Sequence, residues 1–232
     1  MPQKEPLSPP LLAVAGILAA VPAAWIALAA DAALGGAAAS LAGFPWQGLS
    51  LAPSFTLRAD VAADGSHAPT LWAIALLAGP LLAAGVALAF QALVESTRSP
   101  AWLRVLALEL LAFSWLRVPA LLAAGAVHGR GPVADLYARL GEPEAGRWPV
   151  AGLAVLALAA ASALVASRAV EVGKTWMRCD GRQFRRRISR ILGGYPMLAV
   201  LAGWSVLTPW GAPAWIAVWL LLTLSALSVL VS

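Results

Sequence analysis

The sequence predicts an all-α polytopic membrane protein with about six transmembrane helices, and three observations carry that prediction. Hydrophobic residues make up 61% of the 232-residue chain and charged residues only 12%, against about 45–50% and about 25% in soluble domains. The mean hydropathy is +0.80. Apolar runs of the roughly 20 residues needed to cross a hydrocarbon core about 30 Å thick recur along the chain, which leaves little length for a soluble domain. The expected organisation is an N-terminal tail at 1–10 and one membrane domain at 11–232, with spans at about 11–30, 71–94, 101–126, 149–170, 191–208 and 212–231.

The first span, Leu11 to Ala30, is interrupted only by Pro22, which a membrane helix tolerates where neighbours re-satisfy the freed carbonyl. Lys4 ahead of it and Ala27-Leu28-Ala29 within it also fit a secretory leader, but the run is long for one. Residues 34–69 lose the long apolar pattern. They collect Asp60, Asp64, Ser66 and His67, and they alternate at Leu49-Ser50-Leu51 and Phe55-Thr56-Leu57-Arg58, which predicts a loop with a short hairpin. Leu71 to Val94 is the second span, with Trp72 at one interface and Gly79-Pro80 near its middle.

The third span, 101–126, carries Arg104, Glu109 and Arg117, which are costly in contact with lipid and so face protein or water. Glu109 and Arg117 lie about 80° apart around a helix, on one broad face. They are candidates either for satisfied interior charges or for a polar path. Within 127–147, the apolar recurrence at Val133, Leu136, Tyr137 and Leu140 predicts a short helix lying on the membrane surface. Pro149 to Val170 follows as span four. Ile191 to Thr208 and Ala212 to Val231 form a final hairpin around Pro209-Trp210-Gly211.

Orientation follows from the basic residues. Arg168, Lys174, Arg178, Arg182, Arg185, Arg186, Arg187 and Arg190 cluster between spans four and five and mark the cytoplasmic side. Six spans add Lys4, Arg98 and Arg104 to that side, against Arg58, Arg130, Arg139 and Arg147 outside, so both termini are expected to be cytoplasmic. A bacterial inner membrane is the expected location. From Arg182 to Arg190, Phe184, Ile188 and the following Ile191 form one stripe and the arginines fill the rest. Arg182, Arg185, Arg186, Arg187 and Arg190 are therefore expected to bind anionic lipid headgroups. A pI near 10.3 does not argue for nucleic acid, because no stacking surface or reader motif accompanies the charge.

The chain contains no His-Glu-x-x-His, phosphate-binding loop, dinucleotide fingerprint or nucleophile elbow. Its single cysteine, Cys179, excludes an intrachain disulfide and a four-cysteine metal knot. His67 and His128 lack ligand spacing. No catalytic residue, metal site or cofactor is expected. Of the 11 tryptophans, Trp72, Trp102, Trp148, Trp176 and Trp210 fall near span ends, where interfacial anchoring accounts for them.

The run Ala27-Leu-Ala-Ala-Asp31-Ala-Ala-Leu-Gly35, continued through Gly43 and Gly48 to Pro53 and followed by Leu76-Leu-Ala-Gly79-Pro80-Leu-Leu, resembles the core of the site-2-protease family of intramembrane zinc peptidases. In that family a first core helix ends in His-Glu-x-x-His, leads through small residues and a strand hairpin, and is followed by a helix with an Ala-Gly-Pro motif. The resemblance sets Asp31 at the first histidine, Ala32 at the glutamate base and Gly35 at the second histidine. It sets Asp135 loosely at the later aspartate ligand. Without the imidazoles and the base, the family's zinc-activated water is not available.

The resemblance therefore implies a pseudoprotease: a non-catalytic protein that acts as a binding or accessory subunit of a membrane complex. Its expected partners are anionic lipids and another membrane protein. Two further readings stand beside it. One is a small transporter or channel component with Glu109 and Arg117 lining its path, and the other is a metal-dependent membrane hydrolase working through Asp31, His128 and Asp135.

Overall fold

A computed structural model describes residues 9–51, 57–61, 69–97, 99–128, 144–174 and 182–196. In chain order these form α1 (Pro9–Leu41), β1 (Trp46–Leu51), β2 (Leu57–Val61), α2 (Pro69–Ser96), α3 (Ala101–His128), α4 (Glu144–Lys174) and α5 (Arg182–Ile188). A π-helical turn, Ser189–Gly194, continues α5. Among the described residues, four helices are long and apolar enough to cross a membrane: Pro9–Leu41, Leu77–Ser96, Ala101–Leu122 and Trp148–Lys174. The surface helix expected at 133–140, Asp135, and the final spans beyond residue 196 lie outside the described residues.

The side-chain distribution is that of helices in lipid. On α1, Leu11, Val14, Leu18, Val21 and Trp25 are exposed at helical spacing, while Ala20, Ala23, Ala24 and Ala27 are buried. The same division separates exposed Leu81, Leu82, Val86 and Leu93 from buried Ala83, Ala84 and Ala87 on α2, and exposed Leu153 and Leu156 from buried Ala151, Ala154 and Ala161 on α4. In water this arrangement would waste the hydrophobic effect. In a bilayer the tails solvate leucine, and small residues let helix backbones approach closely. Trp102 and Trp148 are exposed near the starts of α3 and of the apolar part of α4, where an indole would sit at headgroup level.

One boundary differs from the sequence expectation. The segment from residue 34, expected as loop, continues α1 through Leu41, so Asp31, Ala32 and Gly35 lie inside a continuous helix. The stretch loses hydrophobicity because it turns to alanine and glycine, yet alanine is the strongest helix former. The stop comes later, at Gly43. Its φ of 89° is left-handed, Phe44 N–H donates to Ala39 O at 2.9 Å, and Gly43 N–H donates to Ser40 O at 3.1 Å. These are the paired bonds of a Schellman motif, and Phe44 packs on Ala39 with Ala42 and Val61 around them. A Gly43→Ala substitution is expected to cost about 1–2 kcal/mol, because an L side chain resists the left-handed conformation. The midpoint of SDS-induced unfolding in mixed micelles measures this.

β1 and β2 pair antiparallel, from Trp46 opposite Val61 to Leu51 opposite Leu57, with a register shift between Trp46 and Gly48. Gly48 takes φ 127° at that irregularity, as a bulge requires. Ser50 Oγ donates to Asp60 Oδ1 at 2.9 Å across the pair.

The chain packs as two compact units. One comprises the described residues of Met1–Ala24, Leu88–Phe113 and Ala159–Ser232. In it Gly16 lies against Pro196 and Leu192, and Gly173 lies against Ile188. A polar chain also crosses it: Gln91 Nε2 donates to Glu95 Oε1 at 2.7 Å, and Arg168 Nη1 bridges Glu95 Oε2 at 3.1 Å and Glu171 Oε2 at 2.9 Å. The other unit comprises the described residues of Trp25–Ala87 and Ser114–Leu158 and holds the hairpin. There Ala126 and Ala151 form a small core with Leu121, Leu122 and Val150.

Candidate functional site

An aspartate within a 33-residue apolar helix has no bulk water to solvate it, so a charged carboxylate there needs a cation or a dense set of donors. Asp31 has a cation. Arg117 of α3 places Nη2 2.6 Å from Asp31 Oδ2, with side-chain exposures of 31% for the arginine and 12% for the aspartate. Arginine suits the position because its guanidinium keeps its charge and is more weakly hydrated than an ammonium group.

A third helix closes on the pair. A Cβ built on Gly79 of α2 would lie 2.6 Å from the Asp31 carbonyl oxygen and 2.7 Å from Asp31 Oδ1. Only a residue without a side chain lets α2 pass there. One turn further along α1, Gly35 faces Gly79 directly, its Cβ position 3.5 Å from Gly79 Cα. Ala32 is buried beside them. Trp115, two residues before Arg117, donates Nε1–H to Ala84 O of α2 at 3.0 Å and ties α3 to α2. All these residues belong to one compact unit, so α1, α2 and α3 are cross-linked around Asp31. One carboxylate oxygen is held by the guanidinium and the other abuts helix backbone. Such a site aligns helices; among the described residues no group of three metal-ligating side chains occurs.

The other anticipated polar residues fall elsewhere. Glu109 is fully buried on α3, and both carboxylate oxygens are without a hydrogen-bond partner among the described residues. The partner of Arg117 is Asp31. Arg104 is half-buried, its Nε likewise unpartnered among the described residues. Arg185, Arg186, Arg187 and Arg190 are exposed, while Phe184, Ile188 and Ile191 are buried. That apolar stripe packs on the protein's own helices, with Ile188 against Gly173 of α4 and Ile191 beside Gly16 of α1. The side chains of Arg182 and His128 are outside the described parts.

The sequence reading singled out Asp31 and Arg117 separately and did not join them. The available signal was a lone acidic residue, Asp31, at the end of the first apolar run and a basic residue, Arg117, among the three charges of the third span. Ending the first span at residue 30 hid it by moving Asp31 out of the bilayer. No family model matches the chain, and no curated protein or solved structure matches it significantly.

Proposed function

We propose that this is a non-catalytic integral membrane protein with the layout of a site-2 protease, acting as a binding or accessory subunit of a larger membrane complex. The observation that carries the reading is the Asp31–Arg117 pair. The positions at which the resemblance looks for the first histidine, the base and the second histidine are occupied by Asp31, Ala32 and Gly35. All three are engaged in helix packing. A protein that keeps such a scaffold without the chemistry acts by what it binds. The excess of basic residues between residues 168 and 190 supports a six-span arrangement with both termini cytoplasmic, as in a bacterial inner membrane.

Purification in gentle detergent, with particle mass, co-purifying chains and metal content determined on one sample, tests the proposal. The expected result is a particle heavier than the 23.9 kDa chain, containing a second membrane protein in fixed stoichiometry and no zinc. A lone chain carrying one zinc would overturn it. Glu109, buried without a described partner, favours the second reading, a polar path through the bilayer. That reading requires Glu109→Gln to abolish solute or ion flux in proteoliposomes while leaving the protein folded.

A further inference from the structure

We propose that the arginine face of α5 and its π-helical continuation form a discrete binding site for one phosphate group. The carrier is either an anionic lipid headgroup or a soluble phosphate. The inference is independent of the accessory-subunit reading.

The site starts from helix geometry. Gln183, Arg186, Arg187 and Arg190 recur at three- and four-residue spacing and so share one face. In an α-helix the residue five beyond Arg190 would turn about 140° away from that face. The chain instead forms a π-helical turn over Ser189–Gly194, in which Tyr195 N–H donates to Arg190 O, five residues back. The wider turn carries Tyr195 back above Arg190. Single π turns are rare, and many sit at functional sites.

These residues, together with the start of α1 at Pro9 and Pro10, line a cleft of about 500 Å3, within the roughly 300–1,000 Å3 of small-ligand sites. Arg186, Arg187, Arg190, Gln183 and Tyr195 are among the residues lining it, and among the described residues that line it none is acidic. Guanidinium forks match phosphate oxygens in pairs. On the same segment Ile188 is buried against Gly173 of α4 and the backbone oxygen of Ile191 lies beside Gly16 of α1, so the arginines are displayed from a packed element. A headgroup phosphate is favoured over a general coating of anionic lipid because one arginine is left out. Arg185 is exposed and carries the same charge within the same helix, but it does not line the cleft.

That omission supplies the test. The full-length protein in neutral detergent is titrated with phosphatidylglycerol, and separately with inorganic phosphate, and bound molecules are counted by native mass spectrometry. One saturable site is expected. Arg187→Gln and Arg190→Gln each weaken it about tenfold or more, while Arg185→Gln changes affinity less than about twofold. Tyr195→Phe produces a smaller loss than either cleft arginine. Phosphatidylglycerol retained in excess inorganic phosphate identifies a lipid as the carrier, whereas saturation by inorganic phosphate alone identifies the soluble ion. Equal losses for Arg185→Gln, Arg187→Gln and Arg190→Gln, or binding that never saturates, would overturn the proposal in favour of a diffuse basic surface. So would no binding of either probe to protein whose thermal transition is unchanged.

Discussion

Replacing Asp31 with leucine is expected to destabilise the protein by about 3–5 kcal/mol, the scale of removing one partner from a buried ion pair. The loss arises less from the missing attraction than from what remains. Arg117 cannot shed its charge, its Nε already has no partner among the described residues, and its Nη2 would lose the carboxylate now 2.6 Å away. Arg117→Leu is expected to cost less than Asp31→Leu, because an abandoned carboxyl group can take up a proton and become neutral. Arg117→Lys should fall between wild type and Arg117→Leu, since a lysine ammonium keeps the charge but lacks the planar fork. Unfolding by SDS from mixed micelles gives the ranking, and equal stability for Asp31→Leu and wild type would show that the pair carries no weight.

The second large effect is expected at Gly79. Overpacking a well-filled interior typically costs about 1–3 kcal/mol, and at Gly79 the obstructing atoms include the carbonyl oxygen of Asp31 and the Cα of Gly35. A flexible side chain can move aside, whereas the backbone of α1 can move only as a helix. Gly79→Ala should therefore reach the upper part of that range, and Gly79→Leu should prevent recovery of folded protein. Gly85, on the same helix, is the internal control, because a Cβ there meets nothing within 4 Å. Gly85→Ala is expected to be neutral or to stabilise by about 0.5–1 kcal/mol through helix propensity. If Gly79→Ala and Gly85→Ala melt together, the close crossing of α1 and α2 is not present in the protein.

How much of this was legible in the sequence depends on the length scale of the signal. The four long helices were legible because an apolar run of span length states its environment without reference to any neighbour. The end of α1 was not. Gly35-Gly36 followed by alanines reads as a break by hydrophobicity, while the actual stop depends on a left-handed residue at Gly43 and on Phe44 closing over Ala39. The site was legible only in part. Asp31, Arg117 and Gly79 each stood out, but their meeting is a fact about three helices, with 86 residues separating the two charges along the chain. Spacing within one helix, which sets Glu109 and Arg117 on one broad face, carries no information about a partner on another helix. For α5 the stripe of Phe184, Ile188 and Ile191 was legible from spacing, but not that Ile188 packs against Gly173 of α4. The π turn that returns Tyr195 to the arginine face has no counterpart in a pattern read at 3.6 residues per turn.

That Asp31 holds α1 to α3 through Arg117 is tested most directly by a double-mutant cycle with charge exchange. The stabilities of Asp31→Leu, Arg117→Leu, the double leucine variant and the exchanged Asp31→Arg/Arg117→Asp variant are compared with wild type under one set of conditions. The account predicts that the double leucine variant is more stable than Asp31→Leu alone, because it leaves no unpaired charge, and that exchange recovers part of the lost stability. Additive losses in the leucine cycle, with no recovery on exchange, would contradict it.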